Sequence, residues 1–275
     1  MNDTTKKTIS ILGCGWYGIE LAKALVEQGH TVKGSSTTPE KIELLSTFKI
    51  QPFLINITRE EENYDPVFFN TDVLFISIPP KRNTSEQADF FCKVERIKNL
   101  ALLHKVKHVI FISSTAVYGA CNSEVTELSV QQPETESGKA ILKAEQMLLQ
   151  QNAFTSTIIR FAGLVGPDRH PGRFFAGKTD IPNGRSPINL IHLKDCIGIS
   201  LAILKKDAFG GVFNACGPDH PSRQDFYALA ALNTKQTIPG FKDELLDWKI
   251  VSSINSAILN YNYVVTDWMN WLNEQ

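Results

Sequence analysis

A parallel α/β fold, doubly wound about one open sheet, is what this chain of 275 residues predicts. Three observations point to it. Strand-like and helix-like stretches alternate over most of the sequence. A G-x-G-x-x-G turn stands between the first strand and the first helix. After Phe161 the alternation breaks into a Gly-, Pro- and charge-rich stretch, which marks a small C-terminal lobe. Alternating strands and helices imply parallel strands joined by right-handed helical crossovers, with both sheet faces covered.

The first element is Thr8-Ile9-Ser10-Ile11-Leu12, a short apolar strand. Gly13, Gly15 and Gly18 follow, and then Ile19 to Val26 has apolar residues at helical spacing, stopped by Gly29. Each glycine has a task in such a turn. The first permits the tight exit from the strand, the second lets backbone approach a pyrophosphate, and the third lets helix and strand pack closely. Amides at the helix start then face the anion. The motif is informative because it lies between a strand and a helix near the N-terminus. Cys14, Trp16 and Tyr17 complete this candidate loop for a nicotinamide dinucleotide.

Strand two is expected at Thr31–Ser35, and a helix follows Pro39 with Ile42, Leu44 and Leu45 inward. Strand three is Pro52–Ile55. Strand four is Asp72–Ile78, stopped by Pro79-Pro80. A long helix runs from about Ser85 to His104, with Phe90, Val94, Ile97 and Ala101 on one stripe. Strand five is His108–Ser113, a helix covers about Thr135 to Gln150, and strand six is Ser156–Phe161. Beyond a long loop at Gly163–Ser186 come a strand (Ile188–Ile191), a helix (Leu193–Lys205), a strand (Gly211–Ala215) and a helix (Ser222–Leu232) with Ser222 as N-cap. This divides the chain into a dinucleotide-binding core, 1–162, and a small mixed lobe, 163–275. The strands near 188–191 and 211–215 are expected to return to the core.

Composition bounds the partners. Net charge is −1, so nothing favours nucleic acid or an anionic membrane. The N-terminal Met1–Lys7 is polar, and no apolar run has the length of a signal or membrane segment, so a cytoplasmic protein is expected. The five cysteines are scattered and none form C-x-x-C; the six histidines show no ligand spacing. Reduced thiols and no metal site are expected.

Strand five ends in Ser113-Ser114-Thr115-Ala116-Val117-Tyr118-Gly119. With the glycine turn, Arg160-Phe161-Ala162-Gly163-Leu164-Val165-Gly166-Pro167 and Asn189-Leu190-Ile191-His192-Leu193-Lys194-Asp195, the chain resembles the extended short-chain dehydrogenase/reductases, the NAD(P)-dependent epimerase/dehydratase family. Asn214 is a weaker fifth match. The glycine spacing resembles an atypical branch. The resemblance implies a Rossmann-like fold and assigns roles by position. Ser114 matches the Ser/Thr that hydrogen-bonds the reacting substrate oxygen. Gly13, Gly15 and Gly18 match the pyrophosphate loop. Ser77, Ile78 and Pro79 border the cofactor, Phe161 and Ala162 lie near the nicotinamide, and Asn56-Ile57 stands where the family often has an Asp and an apolar residue beside the adenine. The family often dimerises through the helices after strands four and five, and the apolar residues of Ile141–Leu149 permit a homodimer.

One departure matters. The family places a Tyr and a Lys one helical turn apart on the helix after strand five, so that the ammonium eases ionisation of the phenol. Here those positions are Ser137 and Ile141. Ser129–Asn152 contains no tyrosine, and Lys139 and Lys143 lie about 200° and 240° around the helix from Ser137. Three functions follow. The first is an oxidoreductase or epimerase-like enzyme for a small hydroxyl- or carbonyl-bearing substrate, with its acid/base drawn from Tyr118 or from Asp168, Arg169 and His170. The second is a catalytically inactive NAD(P) sensor or scaffold. The third, a conventional sugar-nucleotide epimerase/dehydratase, is disfavoured by the missing pair.

The cofactor is NADP or NAD. Lys33-Gly34-Ser35-Ser36-Thr37-Thr38 offers no acid for the ribose hydroxyls before Glu40, and Ser36 and Thr37 with Lys33 or Lys41 suit a phosphate, so NADP is favoured. Cys14 is favoured as a small residue that fits the turn, with a thiol pKa lowered by the turn amides as the alternative. Asp195 is expected to serve helix amides, His170 to be a solvated loop residue, Arg173 and Arg185 to be solvated or to pair with an anionic substrate, and the Trp residues to pack the small lobe.

Overall fold

The computed structural model describes residues 6–80 and 89–275. In chain order the elements are β1 (Thr8–Leu12), α1 (Trp16–Glu27), β2 (Thr31–Ser36), α2 (Glu40–Thr47), β3 (Gln51–Leu54), β4 (Asn56–Ile57), β5 (Glu62–Asn63), β6 (Val73–Ile76), α3 (Phe90–Leu103) and β7 (His108–Ser114). There follow β8 (Ser123–Val125), α4 (Glu136–Gln150), β9 (Thr155–Phe161), β10 (Gly163–Val165), β11 (Leu190–His192), α5 (Leu193–Lys205), β12 (Val212–Ala215), α6 (Arg223–Asn233), β13 (Lys249–Val251), α7 (Ser256–Leu259) and α8 (Trp268–Asn273). The expected start of the third helix at Ser85 lies outside the described residues. Among the described residues no helix is long and apolar enough to cross a membrane.

Seven strands form the central parallel sheet, in the order β12-β9-β7-β6-β1-β2-β3. The chain builds outward from β1 to β2 and β3, then returns to β6 on the other side of β1. Ligands of open α/β sheets bind at such a reversal, outside the carboxyl ends of the strands. Strands covered on both faces should be apolar throughout. Val73–Ile76 and Val109–Phe111 are accordingly all buried. The expected strand near 188–191 does not enter this sheet. Leu190–His192 pairs in parallel with Gly163–Val165 in a separate two-stranded sheet. The backbone approach is close there: a Cβ on Gly163 would stand 2.7 Å from Leu190 Cδ2.

The residues group into two compact units, one of 1–117, 133–160 and 200–212, the other of 118–132, 161–199 and 213–275. In the first, α1 ends as its sequence dictates: Gly29 takes φ +83° and its amide bonds the Val26 carbonyl at 2.9 Å. Thr135 caps α4 by accepting from the Gly138 amide at 3.1 Å. The inward stripe of α4, Ile141, Ala144 and Leu148, is buried within the chain itself, while Leu149 on the same helix is exposed. In the second unit Phe226, Trp268, Leu272, Val165 and Leu190 form the core. The Asp195 carboxylate does not cap α5. It is 1 % exposed and accepts from Tyr261 Oη at 2.8 Å and from the Val264 amide at 2.6 Å, fastening the C-terminal segment instead.

One buried charge pair ties the first unit together. Glu145 of α4 and Arg160 of β9 are 1 % and 3 % exposed, and Arg160 Nη2 lies 2.6 Å from Glu145 Oε2. Arg160 Nε adds a bond to Oε1 at 3.0 Å, and Ser113 Oγ donates to the same carboxylate. Removing one partner leaves the other charge buried and uncompensated, at a cost of about 3–5 kcal/mol. Arg160→Met should therefore lower unfolding stability by about that amount in a guanidinium titration, and Arg160→Met with Glu145→Leu should recover much of it.

Candidate functional site

The site grows from the glycine turn. Gly13 has φ +103°, and a Cβ there would meet the Ser77 carbonyl oxygen at 2.9 Å. A Cβ on Gly18 would stand 2.3 Å from the Gly13 carbonyl oxygen, so only hydrogen fits between α1 and the turn. Among the described residues a Cβ on Gly15 would meet nothing within 4 Å. The first and third glycines thus serve packing, while the second opens on free space. β2 fixes the turn from the side, because the Gly13 amide donates to Ser35 Oγ at 3.0 Å and the Cys14 amide to the Ser35 carbonyl at 2.8 Å.

That free space is a cavity of about 580 Å³ at the carboxyl ends of β1, β2 and β6. Gly13, Cys14 and Gly15 line it, with Ser35, Ser36, Thr37, Asn56, Ile57, Ser77, Ile78 and Pro79. Trp16, Tyr17 and Gly18 begin α1 and are not in its lining. Phe161 and Ala162 are buried in the second unit. The lining also includes Thr38, Lys41, Arg59, Glu60, Asp89 and Lys93. Of these only Lys41 is singled out by sequence. Arg59 and Glu60 enter because Asn56–Asn63 folds as a tight antiparallel hairpin, β4 against β5, a connection too short to give a periodic signal.

Two sequence expectations need correction, and for Cys14 the favoured reading holds over its alternative. Lys33 is not a phosphate ligand: it is buried and its ammonium donates to the Val67 and Asn70 carbonyls at 2.7 and 2.6 Å. Cys14 is not an activated thiol. It is 5 % exposed, and burial pushes its pKa up to about 12 against the smaller opposing effects of the Ser35 hydrogen bond and Lys41. His170 is not a solvated loop residue. Its ring stacks on Trp271, its Nδ1 accepts from the Gly172 amide at 3.1 Å, and burial lowers its pKa.

The other candidates separate by surroundings. Ser114 closes β7, and its Oγ accepts from the Ala116 amide at 3.2 Å. Tyr118 is 2 % exposed, and its hydroxyl donates toward the Thr126 carbonyl and Asn214 Oδ1, both at 2.9 Å. Ser137 is buried beside Thr135 Oγ1, 3.2 Å away, and Ile141 is buried too. Lys139 is exposed and pairs with Glu136 at 2.7 Å. In the second unit burial raises the phenol pKa values of Tyr227, to about 12, and of Tyr261 and Tyr263, which is the opposite of what a phenolate base needs. His192 Nδ1 accepts from the Lys194 amide at 3.2 Å, a local turn contact, and burial lowers its pKa. Arg173 and Arg185 are exposed, Arg185 lying 3.7 Å from Asp243.

A glycine turn between β1 and α1, opening on a cavity at the reversal of a parallel sheet, defines a dinucleotide-binding Rossmann protein. The comparisons with known proteins agree. Residues 13–189 match the model of the NAD(P)H-binding family, and the chain belongs to that family. It is 36% identical over 243 residues to Protein YeeZ of Escherichia coli (strain K12), covering 87% of this chain and 88% of that one. Its fold matches MoeE5 in complex with UDP-glucuronic acid and NAD, with TM-score 0.80, 17% identity and 98% and 97% of the two chains covered. It also matches UDP-glucuronic acid 4-epimerase from Bacillus cereus in complex with NAD, with TM-score 0.77, 19% identity and 96% of each chain covered. Both structural likenesses are likenesses of fold.

Two outcomes follow from this geometry. Gly15→Ala should shift the melting temperature by less than about 2 °C yet weaken dinucleotide binding at least about tenfold, whereas Gly18→Ala should lower the melting temperature by more than about 4 °C; calorimetry reads both. Iodoacetamide at about pH 8 should label the exposed Cys121 and leave Cys14 unmodified, read by peptide mass mapping, because a thiol with its pKa near 12 stays protonated there.

Proposed function

We propose that this protein is an NAD(P)-dependent oxidoreductase or epimerase-like enzyme acting on a small hydroxyl- or carbonyl-bearing substrate. The observation that carries the reading is Gly15, whose missing Cβ opens on the cavity while Gly13 and Gly18 are locked by packing. The residues fit a dinucleotide. Gly13–Gly15 and the start of α1 would hold the pyrophosphate, Ser35–Thr37 the adenosine ribose, Asn56 and Ile57 the adenine, and Ser77–Pro79 the chain of the cofactor beyond it. When bound, the nicotinamide supplies hydride acceptance or donation. NADP is favoured over NAD, because the end of β2 presents hydroxyls in place of a carboxylate and Lys41 lines the same wall.

Ser114 is the residue assigned to the reacting oxygen, its hydroxyl hydrogen being available to donate while its oxygen accepts from Ala116. Tyr118 is assigned an anchoring role. Its hydroxyl is engaged by Thr126 and Asn214, which supports holding the 118–126 turn rather than moving a proton. A second reading, a dinucleotide sensor without turnover, draws support from the buried Ser137 and Ile141, which leave no phenol–ammonium pair on α4. The conventional sugar-nucleotide mechanism has the same difficulty, although two fold relatives bind NAD and one of them UDP-glucuronic acid.

Hydride exchange between labelled NADPH and a panel of small aldehydes, ketones and alcohols tests the choice. Turnover that falls about 10²-fold or more in Ser114→Ala, with dinucleotide affinity unchanged, is the expected result. Turnover untouched by that substitution removes Ser114 from the reaction, and tight cofactor binding with no exchange on any substrate favours the sensor.

A further inference from the structure

The β4–β5 hairpin carries an arginine whose backbone is fixed and whose side chain is loosely held. Thr58 organises the turn: its amide donates to the Glu61 carbonyl at 2.9 Å, and its Oγ1 accepts from the Glu60 and Glu61 amides at 3.2 and 2.9 Å. Arg96 of α3 staples it from outside, with Nε donating to the Arg59 carbonyl at 2.8 Å and Nη1 to Glu62 at 2.8 Å. Among the described residues the Arg59 guanidinium has no such hold. Its side chain is 63% exposed, and Nη1 lies 3.6 Å from Asp89 Oδ1, too long for a hydrogen bond. A pair of that kind contributes little and exchanges readily.

The hairpin stands beside the end of β2. Ser36 pairs in register with Leu54, and the Ile55 amide donates to the Ser36 carbonyl at 3.0 Å, so the chain that leads into the hairpin runs next to Ser36–Thr38. Arg59, Lys41, Ser36 and Thr37 all line one cavity. No hydrogen bond or ion pair holds the Lys41 ammonium among the described residues. Two cations and two hydroxyls thus line the cavity whose β2 end lacks a carboxylate, with Glu60 and Asp89 elsewhere in the same lining.

We propose that Arg59 is the specificity-determining residue for a 2′-phosphorylated adenosine: it exchanges Asp89 for the 2′-phosphate, and Asp89 restrains it until that phosphate arrives. The proposal rests on the dinucleotide reading of the same cavity. A guanidinium suits the task, since its planar fork meets a phosphate through two parallel N–H groups. Asp89 competes weakly with the phosphate for one side chain, so it lowers somewhat the contrast that Arg59 sets between ligands with and without that group.

The test is calorimetric binding of adenosine 2′,5′-bisphosphate and of ADP to the full chain at low salt, for the native protein, Arg59→Ala, Arg59→Lys and Asp89→Asn. The native protein should bind the 2′-phosphorylated compound at least about tenfold tighter than ADP. Arg59→Ala should abolish that preference with ADP affinity within about twofold, Arg59→Lys should restore part of it, and Asp89→Asn should raise it. Equal binding of both ligands by the native protein overturns the assignment of Arg59 and leaves the dinucleotide cavity standing. Equal weakening of both ligands in Arg59→Ala also overturns it. Failure of the native protein to bind either compound overturns the cavity reading and this assignment together.

Discussion

The contact on which the rest depends is the one between the Gly13 carbonyl oxygen and the first turn of α1. A methyl group at Gly18 has 2.3 Å of room there, far inside any real van der Waals distance. Because both partners are glycines, α1 can begin immediately above β1 and point its N-terminus at the reversal of the sheet. Ser35 then ties the turn to β2 through its hydroxyl and its carbonyl. The position of the candidate cofactor wall follows from packing that would exist without any ligand. Gly15 is the exception: packing does not require a glycine there, and a bound pyrophosphate would.

The same logic separates the parts of the site by their surroundings. Cys14 lies in the turn next to amides that would stabilise a thiolate in the open, yet burial outweighs them and keeps the thiol protonated. Tyr118 lies on the segment after β7, four residues from Ser114, yet its hydroxyl is occupied by a carbonyl and an amide. At Ser137 and Ile141, α4 brings small and apolar side chains into the interior. The structure thus presents a cavity lined by the glycine turn and the end of β2, and a serine at the end of β7.

Much of this was legible in the sequence because it rests on local pattern. The expected bounds of β1, β2, β6, β7 and β9 agree with the structure within a residue or two. β6 and the middle of β7 read as continuous apolar runs because they are buried on both faces, whereas β2 and β9 carry polar residues and are legible from the helices that flank them. The glycine turn was legible because strand and helix signals flank it. Illegible features were those decided by distant partners. Lys33 reads as a cation near the cofactor, but Val67 and Asn70, far along the chain, supply carbonyls that draw it into the interior. Leu190–His192 has the composition of a core strand, but the close approach at Gly163 captures it for a second, smaller sheet. Arg59 is invisible in sequence because the hairpin that presents it has only two residues in each strand. Asp195 looks like a helix-start acid until the C-terminal segment that it holds is folded against it.

The most direct measurement is a crystal structure of the full chain grown with a saturating nicotinamide dinucleotide. The account places the electron density of the two bridging phosphates against the backbone of Gly13–Gly15, at the head of α1, with the adenosine extending along Ser35–Thr37 toward Asn56. Density for the dinucleotide elsewhere on the protein, or an empty glycine turn beside an otherwise ordered cofactor, would contradict it.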